Sequence, residues 1–224
     1  MLNKQFLQNV FSEKRMKRYF DAHDNDQMAI LHYQLNIELT ESFYSVIAVY
    51  EVALRNAINK QLVLLTKRDD WYSQFQNTPG LTNLHRYISQ ANKQISGRKE
   101  FSSPSKIVAE LTLGFWVTLL NSEYEKILWK DLRLAFPNMP KAIRQRKNIS
   151  APLNRFRAFR NRVFHHEPIC WNLTKIIEIH NEMILVMGWI NNDIPTWIKP
   201  FDRVTSVVTK IETEMGWKKN NDSK

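Results

Sequence analysis

The segment that contains the most side chains able to act on phosphate is Arg160-Asn161-Arg162-Val163-Phe164-His165-His166-Glu167-Pro168. It holds two of the six histidines of the chain, side by side, with two arginines before them. An imidazole titrates near neutral pH and can move protons, while a guanidinium can hold and neutralise phosphate oxygens. The segment therefore indicates phosphate chemistry that needs no metal. The alternative is a positively charged helix end, which the helix dipole favours.

The helical positions of these side chains decide which of them can act together. Asn161 and His165 stand four residues apart and share a face of a helix. Arg162 and His166 share another face in the same way. Arg160 and His165 are five residues apart, roughly 140° around a helix, so one helix does not direct both at one phosphate. A curled arginine, a distorted last turn, or a site shared by two chains of a C2 dimer would bring them together.

A run of basic residues without any acid leads into this segment. The run contains Lys141, Arg144, Arg146, Lys147, Arg155, Arg157, Arg160 and Arg162. Arginine outnumbers lysine six to two, which suits bidentate contacts to phosphate. A solvated helix face is the alternative. Phe156, Phe159 and Phe164 alternate with the arginines, and their helical spacing favours core positions over base-stacking platforms.

The elements that position these residues are predicted to be helices. Five glycines and eight prolines are few for 224 residues, and no alternating strand pattern is present. From about 27 to 66 apolar residues recur at helical spacing without Pro or Gly. This stretch predicts one very long helix or two nearly collinear ones, with a break at Thr40-Glu-Ser-Phe. The fold class is all-α, and no change of composition divides residues 1–224 into two domains.

Capping residues and prolines place the other helices. Residues 2–22 predict a short amphipathic helix with Lys14, Arg15, Lys17 and Arg18 exposed. The remaining helices are predicted at Thr82 to Gly97, at Ser103-Pro104 to about Leu120, from a capping box at Ser122-Glu-Tyr-Glu125 to about Phe136, from Ser150-Ala-Pro152 to just before Pro168, at Leu173 to Ile190, and at Arg203 to Met215.

Charge and cysteine content restrict the partners and the compartment. The net charge of +10 suggests an anionic partner, either nucleic acid or a membrane surface. No apolar run approaches the ~18 residues that a membrane span needs, and the N-terminus lacks the apolar stretch of a signal peptide. The single cysteine, Cys170, is expected to be a small core residue and fits a reducing cytosol. We therefore expect a cytoplasmic protein.

Other chemistries have less support in the sequence. His165 and His166 point about 100° apart on a helix, which does not suit zinc, and no phosphate-binding loop or nucleophile elbow is present. We expect neither a metal nor a cofactor. Glu51 and Arg55 stand four residues apart among apolar neighbours, which predicts a structural ion pair.

The run Arg160-Asn161-Arg162-Val-Phe-His165 resembles the Arg-x4–6-His motif of HEPN domains, in the form with asparagine directly after the arginine. Four ordered upstream segments resemble the Abi-like (abortive infection) branch of that superfamily. They are Glu51-Val-Ala-Leu-Arg55-Asn-Ala-Ile58, Asp70-Trp71-Tyr72, Glu110-Leu-Thr-Leu-Gly-Phe-Trp116, and Leu128-Trp129 with Leu132. With the closing run to Ile169, the resemblance covers about residues 30–180. The short motif alone is weak, and the ordered set is more specific.

The resemblance implies an up-and-down helical bundle, with a core at about 27–190, additional N-terminal helices and a helical extension at about 191–217. It implies a metal-independent endoribonuclease, with Arg160, Asn161 and His165 catalytic. The supporting residues would be His166, Arg162, Glu51 and Arg55. The residues expected to bind RNA are Lys141, Arg144, Arg146, Lys147, Arg155 and Arg157.

The resemblance also implies a bacterial phage-defence or toxin protein that halts growth. Its partners would be RNA, a second copy of the chain that completes a composite site, and an RNA or protein antitoxin. A non-catalytic HEPN-like module that binds RNA, nucleotide or protein is the main alternative. A DNA-binding regulator has less support, since no helix-turn-helix spacing is present.

Overall fold

The computed structural model of the protein describes residues 3–217, which form helices joined by short connections. The α-helices are α1 Lys4–Phe11, α2 Glu13–Asp21, α3 Asp26–Thr66, α4 His85–Gly97, α5 Pro104–Glu110, α6 Leu113–Thr118, α7 Glu125–Leu132, α8 Arg146–Phe164, α9 Leu173–Ile190, α10 Ile194–Ile198 and α11 Val204–Glu214. Short 3-10 helices lie at Trp71–Gln76, Thr82–Leu84, Ser122–Tyr124, Arg133–Ala135 and Lys141–Ile143. Residues 3–217 contain no strand, which confirms the prediction of an all-α, multi-helix fold.

The chain divides into two compact units. The first consists of the described residues of Met1–Val46, Asn161–His180 and Phe201–Lys224, and the second of Ile47–Arg160 and Asn181–Pro200. Helices α3, α8 and α9 each continue from one unit into the other. The predicted C-terminal extension contributes to both, because α10 belongs to the second unit and α11 to the first. That all of 1–224 is one domain stays a prediction.

Helix α3 is continuous over 41 residues, as its lack of Pro and Gly predicts. Of the two alternatives, the single long helix is confirmed, and Thr40-Glu-Ser-Phe, the expected place for a break between two helices, does not interrupt it. The Thr40 hydroxyl donates to the carbonyl oxygen of Asn36 at 2.8 Å, and the Ser42 hydroxyl donates to that of Leu39 at 2.7 Å. Hydroxyls that bond back to the preceding turn are accommodated within a helix, and so they do not end it.

The first unit begins with two helices where the sequence predicted one. Ser12 separates them with a φ of 71°, in the left-handed region, and its side chain caps α2 by accepting a hydrogen bond from the backbone N–H of Arg15. Met16, Tyr19 and Phe20 of α2 are buried in this unit. The basic residues of α2 are therefore left on its exposed side.

The second unit is built on aromatic packing. Trp71 and Trp116 are buried, their rings 6.0 Å apart, and the Trp71 indole N–H donates to the Asn59 side chain at 2.8 Å. The predicted helix from Ser103-Pro104 to Leu120 is interrupted, since α5 ends at Glu110 and α6 begins at Leu113. Leu111 adopts an extended conformation, and its carbonyl oxygen accepts a hydrogen bond from the Trp116 indole at 3.1 Å. That bond replaces the helical one that an unbroken helix would form.

Two predicted helix starts also differ from the structure. Ser122-Glu-Tyr-Glu125 forms a 3-10 turn into α7, with no side-chain cap bond, and Glu125 instead pairs with Arg146. Helix α8 begins at Arg146, not at Ser150, and contains Pro152 within its length. Proline favours the first helical turn, and for that reason the sequence predicted a helix start at this position.

Candidate functional site

The end of α8 shapes the motif in the first unit. The backbone N–H of Glu167 donates to the carbonyl oxygen of Arg162 at 2.9 Å, and that of His166 donates to the carbonyl oxygen of Val163 at 3.1 Å. These bonds form a Schellman motif, in which His166 takes the left-handed position with a φ of 54°. Glycine usually fills this position, so His166 has a structural role at the helix end.

Asn161 lies in the last turn of α8, and His165 is the residue directly after the helix. The backbone N–H of His165 donates to the carbonyl oxygen of Asn161 at 2.9 Å, so the two residues keep the four-residue helical spacing. Both are exposed. An exposed imidazole beside an exposed amide can reach a substrate without a rearrangement of the core.

Arg162 and His166 do not form the second shared face that the sequence predicted. His166 leaves the helix at its left-handed φ. The Arg162 guanidinium turns to the residues after the helix, donating to the Glu167 carboxylate at 3.1 Å and to the Pro168 carbonyl oxygen at 2.8 Å. Arg162 therefore fastens the segment after the helix.

Asn36 fixes the chain that follows the motif. Its buried side-chain oxygen accepts hydrogen bonds from the backbone N–H groups of Ile169, at 2.7 Å, and Cys170, at 3.2 Å. Both N–H groups are buried, and leaving them unsatisfied would cost free energy. Asn36 on α3 and the cap of α8 together fix the segment 165–170 within the first unit.

Arg160 belongs to the second unit, where it pairs with Glu51. Its Nε donates to Glu51 Oε1 at 2.8 Å, and about a third of each side chain is exposed. The predicted Glu51–Arg55 ion pair is wrong. The two share a face of α3, but the Glu51 carboxylate goes to the arginine from α8, a choice that local spacing cannot reveal.

Arg55 lies in a different setting within the second unit. Its Nε is 3.4 Å from the Asn56 side-chain oxygen, and it lines a cleft of about 460 Å³. Other residues of this cleft are Asn59, Asp69, Pro104 and Ser105. Arg55 is therefore available to a ligand of the cleft, one helical turn along α3 from Glu51.

Half of the basic residues expected to bind RNA hold internal acceptors of the second unit. Arg144 donates to the carbonyl oxygens of Pro137 and Met139. Arg146 donates to the Glu125 carboxylate at 2.8 Å and to the Leu120 carbonyl oxygen at 3.2 Å. These two arginines hold turns in place.

Arg155 extends this pattern by pairing with Glu182 of α9 through two hydrogen bonds. The other three residues of the expected RNA-binding set are exposed: Lys141, Lys147 and Arg157. The run contains no acid in sequence, but the fold brings Glu125, Glu182 and Glu51 to its arginines. Its positive potential is therefore smaller than the sequence implied.

The three phenylalanines of the run have different surroundings. Phe156 and Phe159 are buried, as their spacing predicts. Phe164 is 42% exposed and stacks on Tyr44, which is 37% exposed, with ring centroids 5.2 Å apart. The expectation of a core position is wrong for Phe164, which instead places an aromatic surface beside His165.

A cationic cavity of about 410 Å³ in the first unit has no counterpart in the predicted site. Lys14, Arg15 and Arg18 of α2 line it together with His166 and Glu167. The Arg15 Nη1 donates to the His166 carbonyl oxygen at 2.7 Å, which joins α2 to the end of the motif. The sequence predicts the basic face of α2, but it does not predict that this face contacts the end of the motif at His166.

Cys170 is buried, as expected, and burial raises the pKa of its thiol to about 12. Its Sγ lies 3.0 Å from His32 Nε2, and His32 Nδ1 lies 3.0 Å from His23 Nε2. A protonated thiol with no exposure to solvent is a poor nucleophile. This chain of hydrogen bonds is a core feature of the first unit.

The described part of the chain contains neither a cluster of metal ligands nor a helix that could span a membrane. No group of three or more His, Cys, Asp or Glu side chains in residues 3–217 is arranged to hold a metal ion. Over the same residues, every helix is too short or too polar to cross a bilayer.

Comparison of the chain with protein-family models, curated proteins and solved structures found no match.

Proposed function

We propose that the chain is a metal-independent RNA endonuclease of the HEPN type. The observation that carries the proposal is the pair of exposed side chains, Asn161 and His165, at the capped end of α8. Asn161 follows Arg160 directly and His165 is five residues after it, in the order that resembles the HEPN motif. Partly exposed Phe164, which stacks on Tyr44, precedes His165 in the chain, and aromatic side chains of this kind suit the unstacked bases of single-stranded RNA.

In the proposed reaction the RNA 2′-hydroxyl attacks the adjacent phosphorus. The 2′-oxygen forms a bond to phosphorus as the bond to the 5′-oxygen breaks, giving a 2′,3′-cyclic phosphate and a 5′-hydroxyl. His165 takes the proton of the 2′-hydroxyl or supplies one to the leaving oxygen. Arg160 stabilises the charge that builds on the phosphoryl oxygens, and Asn161 orients His165 or the substrate.

Glu51 gives Arg160 a defined position before substrate arrives, since their hydrogen bond is 2.8 Å long. Phosphate oxygens would then compete with the carboxylate for the N–H groups of the guanidinium, which has five in all. Arg162 and His166 support the site by holding the end of α8. The exposed basic residues Lys141, Lys147 and Arg157 are the ones left to bind RNA phosphates.

The biological role proposed with this activity is growth arrest during phage infection, as in abortive-infection and toxin systems. The protein would act in the cytoplasm as a homodimer with a composite site, and an RNA or protein antitoxin would hold it off. These partners rest on the resemblance and on the five-residue offset between Arg160 and His165.

A non-catalytic module that binds RNA, nucleotide or a partner protein is the second candidate. The specific observation in its favour is the Arg160–Glu51 ion pair, which occupies part of the guanidinium that catalysis would need. Such a module would use the same surface without any change in the RNA backbone.

Expression in bacteria separates the two candidates. We expect the wild type to arrest growth, and Arg160→Ala or His165→Ala to relieve the arrest at equal protein level. RNA cleavage should fall by about 10²–10⁴-fold in His165→Ala, the usual contribution of a general acid or base, and by about 10²–10³-fold in Arg160→Ala, which removes a charge-stabilising donor. His85→Ala is the matched control, because it removes a histidine of the second unit that bonds to Ser89 outside the motif.

Sequencing RNA ends after induction tests the chemistry itself. The proposal requires new 2′,3′-cyclic phosphate and 5′-hydroxyl ends, and cleavage by purified protein that survives EDTA. Arrest that persists in His165→Ala, or cleavage that EDTA abolishes, would contradict the ribonuclease. RNA binding without new ends would favour the non-catalytic module.

A further inference from the structure

The cationic cavity of the first unit places three basic side chains of α2 around one space. Lys14, Arg15 and Arg18 line it, and within residues 3–217 none of them pairs with a carboxylate. Lys17, on the same helix, differs in this respect because it pairs with Asp21 at 2.7 Å. Glu167, the acid of the cavity, already pairs with Arg162 at 3.1 Å.

The cavity is built around fixed groups. Arg15 is held by its bond to the His166 carbonyl oxygen, which uses one of the five N–H groups of the guanidinium. The Arg18 guanidinium lies 4.2 Å from the Trp171 ring, a cation–π contact that leaves the N–H edges of the group free to donate. Buried Tyr19 and Tyr33, whose ring centroids are 5.2 Å apart, form the wall behind them.

We propose that this cavity is a second phosphate subsite, which binds a phosphodiester of the RNA strand next to the one at His165. The inference rests on the proposed function for the identity of the strand. His166 lines the cavity and is the chain neighbour of His165, so a strand at His165 passes the basic face of α2. Arginine N–H groups suit phosphate oxygens, and three cations with one engaged acid favour an anion.

Lys14→Glu tests the subsite with little risk to folding, because Lys14 is exposed. Lys175→Glu is the matched control, since it reverses an exposed lysine of the same unit that pairs with Glu178 outside the cavity. Both changes are made in His165→Ala protein so that the RNA stays intact. The probe is a labelled oligouridine of about 12 nucleotides, within the usual size of single-strand sites.

We expect Lys14→Glu to weaken binding by about 5- to 10-fold, because one attractive surface charge becomes a repulsive one. The slope of log affinity against log salt should become shallower by about 0.7 for each RNA phosphate that the protein no longer neutralises. Lys175→Glu should change neither quantity appreciably. Equal effects of the two substitutions, or an unchanged salt slope in Lys14→Glu, would overturn the subsite.

Cleavage by otherwise wild-type protein separates failure of the subsite from failure of the ribonuclease. If the wild type cleaves RNA while Lys14→Glu binds like the control, the subsite is wrong and the ribonuclease stands. If the wild type does not cleave while Lys14→Glu shows weaker binding and a shallower salt slope, the subsite stands and the ribonuclease is wrong.

Discussion

Arg160 and His165 belong to one sequence motif but have different electrostatic surroundings. Arg160 is half-buried and shares a hydrogen bond with the Glu51 carboxylate, whereas His165 is exposed at the end of α8. A paired arginine is positioned in advance but must exchange part of its bonding for phosphate. An exposed histidine can exchange protons with solvent between turnovers. These surroundings are consistent with the roles proposed for the two residues, charge stabilisation by Arg160 and proton transfer by His165.

At the residue scale, His32 makes stability depend on pH. Burial, with smaller effects of His23 and Arg18, lowers the pKa of His32 to about 4 from 6.5. The unfolded chain therefore binds a proton that the folded chain excludes as the pH falls from about 6.5 to about 4, and stability falls over that window. We expect the free energy of unfolding to fall by about 1 to 3 kcal/mol over this pH window.

Urea unfolding of the wild type and of His32→Gln at several pH values checks this prediction. The variant should be less stable near neutral pH, because it disturbs the bonds to Cys170 and His23, but its stability should depend less on pH. The same pH dependence in both proteins would show that His32 is not responsible.

Two helices end in the same way at the scale of the elements. At the end of α4, the N–H of Glu100 donates to the Ile95 carbonyl oxygen and that of Lys99 to the Ser96 carbonyl oxygen, with Lys99 at a φ of 58°. This is the Schellman motif that His166 closes on α8. A non-glycine residue in the left-handed region carries strain, whatever its side chain does. The position of His166 therefore follows from backbone geometry that Lys99 shares.

Substitution of His166 and Lys99 measures that strain. We expect His166→Gly and Lys99→Gly each to raise the free energy of unfolding by between 0 and about 1 kcal/mol. The relief of backbone strain in the folded state exceeds the entropy that glycine adds to the unfolded chain. His166→Val and Lys99→Val should each destabilise by about 1 kcal/mol or more. Thermal unfolding gives the comparison, and a loss of stability in His166→Gly alone would mean that the imidazole makes contacts beyond the cap.

Across the whole molecule, the net charge is +10, but the residues that are basic in sequence are not all unpaired in the structure. In the second unit, carboxylates from α3, α7 and α9 pair with Arg160, Arg146 and Arg155 of α8. In the first unit, Lys14, Arg15 and Arg18 pair with no carboxylate among the described residues. The unpaired cations of α2 therefore form a basic surface in addition to the exposed residues of the acid-free run.

The proposed composite site combines residues from the two chains of a dimer, and so it is tested with mixed dimers. If a dimer supplies Arg160 from one chain and His165 from the other, mixing inactive Arg160→Ala and His165→Ala proteins restores one intact site in each mixed dimer. Half of the dimers are mixed and half of their sites are intact, so about one quarter of wild-type cleavage should return.

Cleavage after the variants are mixed and re-equilibrated checks this, together with a solution mass near 53 kDa, about twice the 26.6 kDa of one chain. Arg160→Ala mixed with Arg160→Ala under the same conditions is the control for recovery by refolding alone. A monomer, or a dimer whose mixed form stays inactive, would place each site within one chain.

Four features could be predicted from local sequence alone: the helical fold class, the long α3, the burial of Cys170 and the spacing of Asn161 and His165. These features depend on local periodicity, on the scarcity of Pro and Gly, and on four-residue spacing. All three involve only residues that are close together in the sequence. Local signals of the same kind predicted a capped helix at Ser103-Pro104, and the Ser103 side chain does accept the Lys106 backbone N–H.

Tertiary structure decided which charges meet. Glu51 is one helical turn from Arg55 but pairs with Arg160, which is 109 residues away in the chain. Arg15 joins a carbonyl oxygen 151 residues away and brings a basic helix to the end of the motif. Ion pairs and hydrogen bonds act over a few ångströms in space, and so their partners depend on how the helices pack and not on sequence separation.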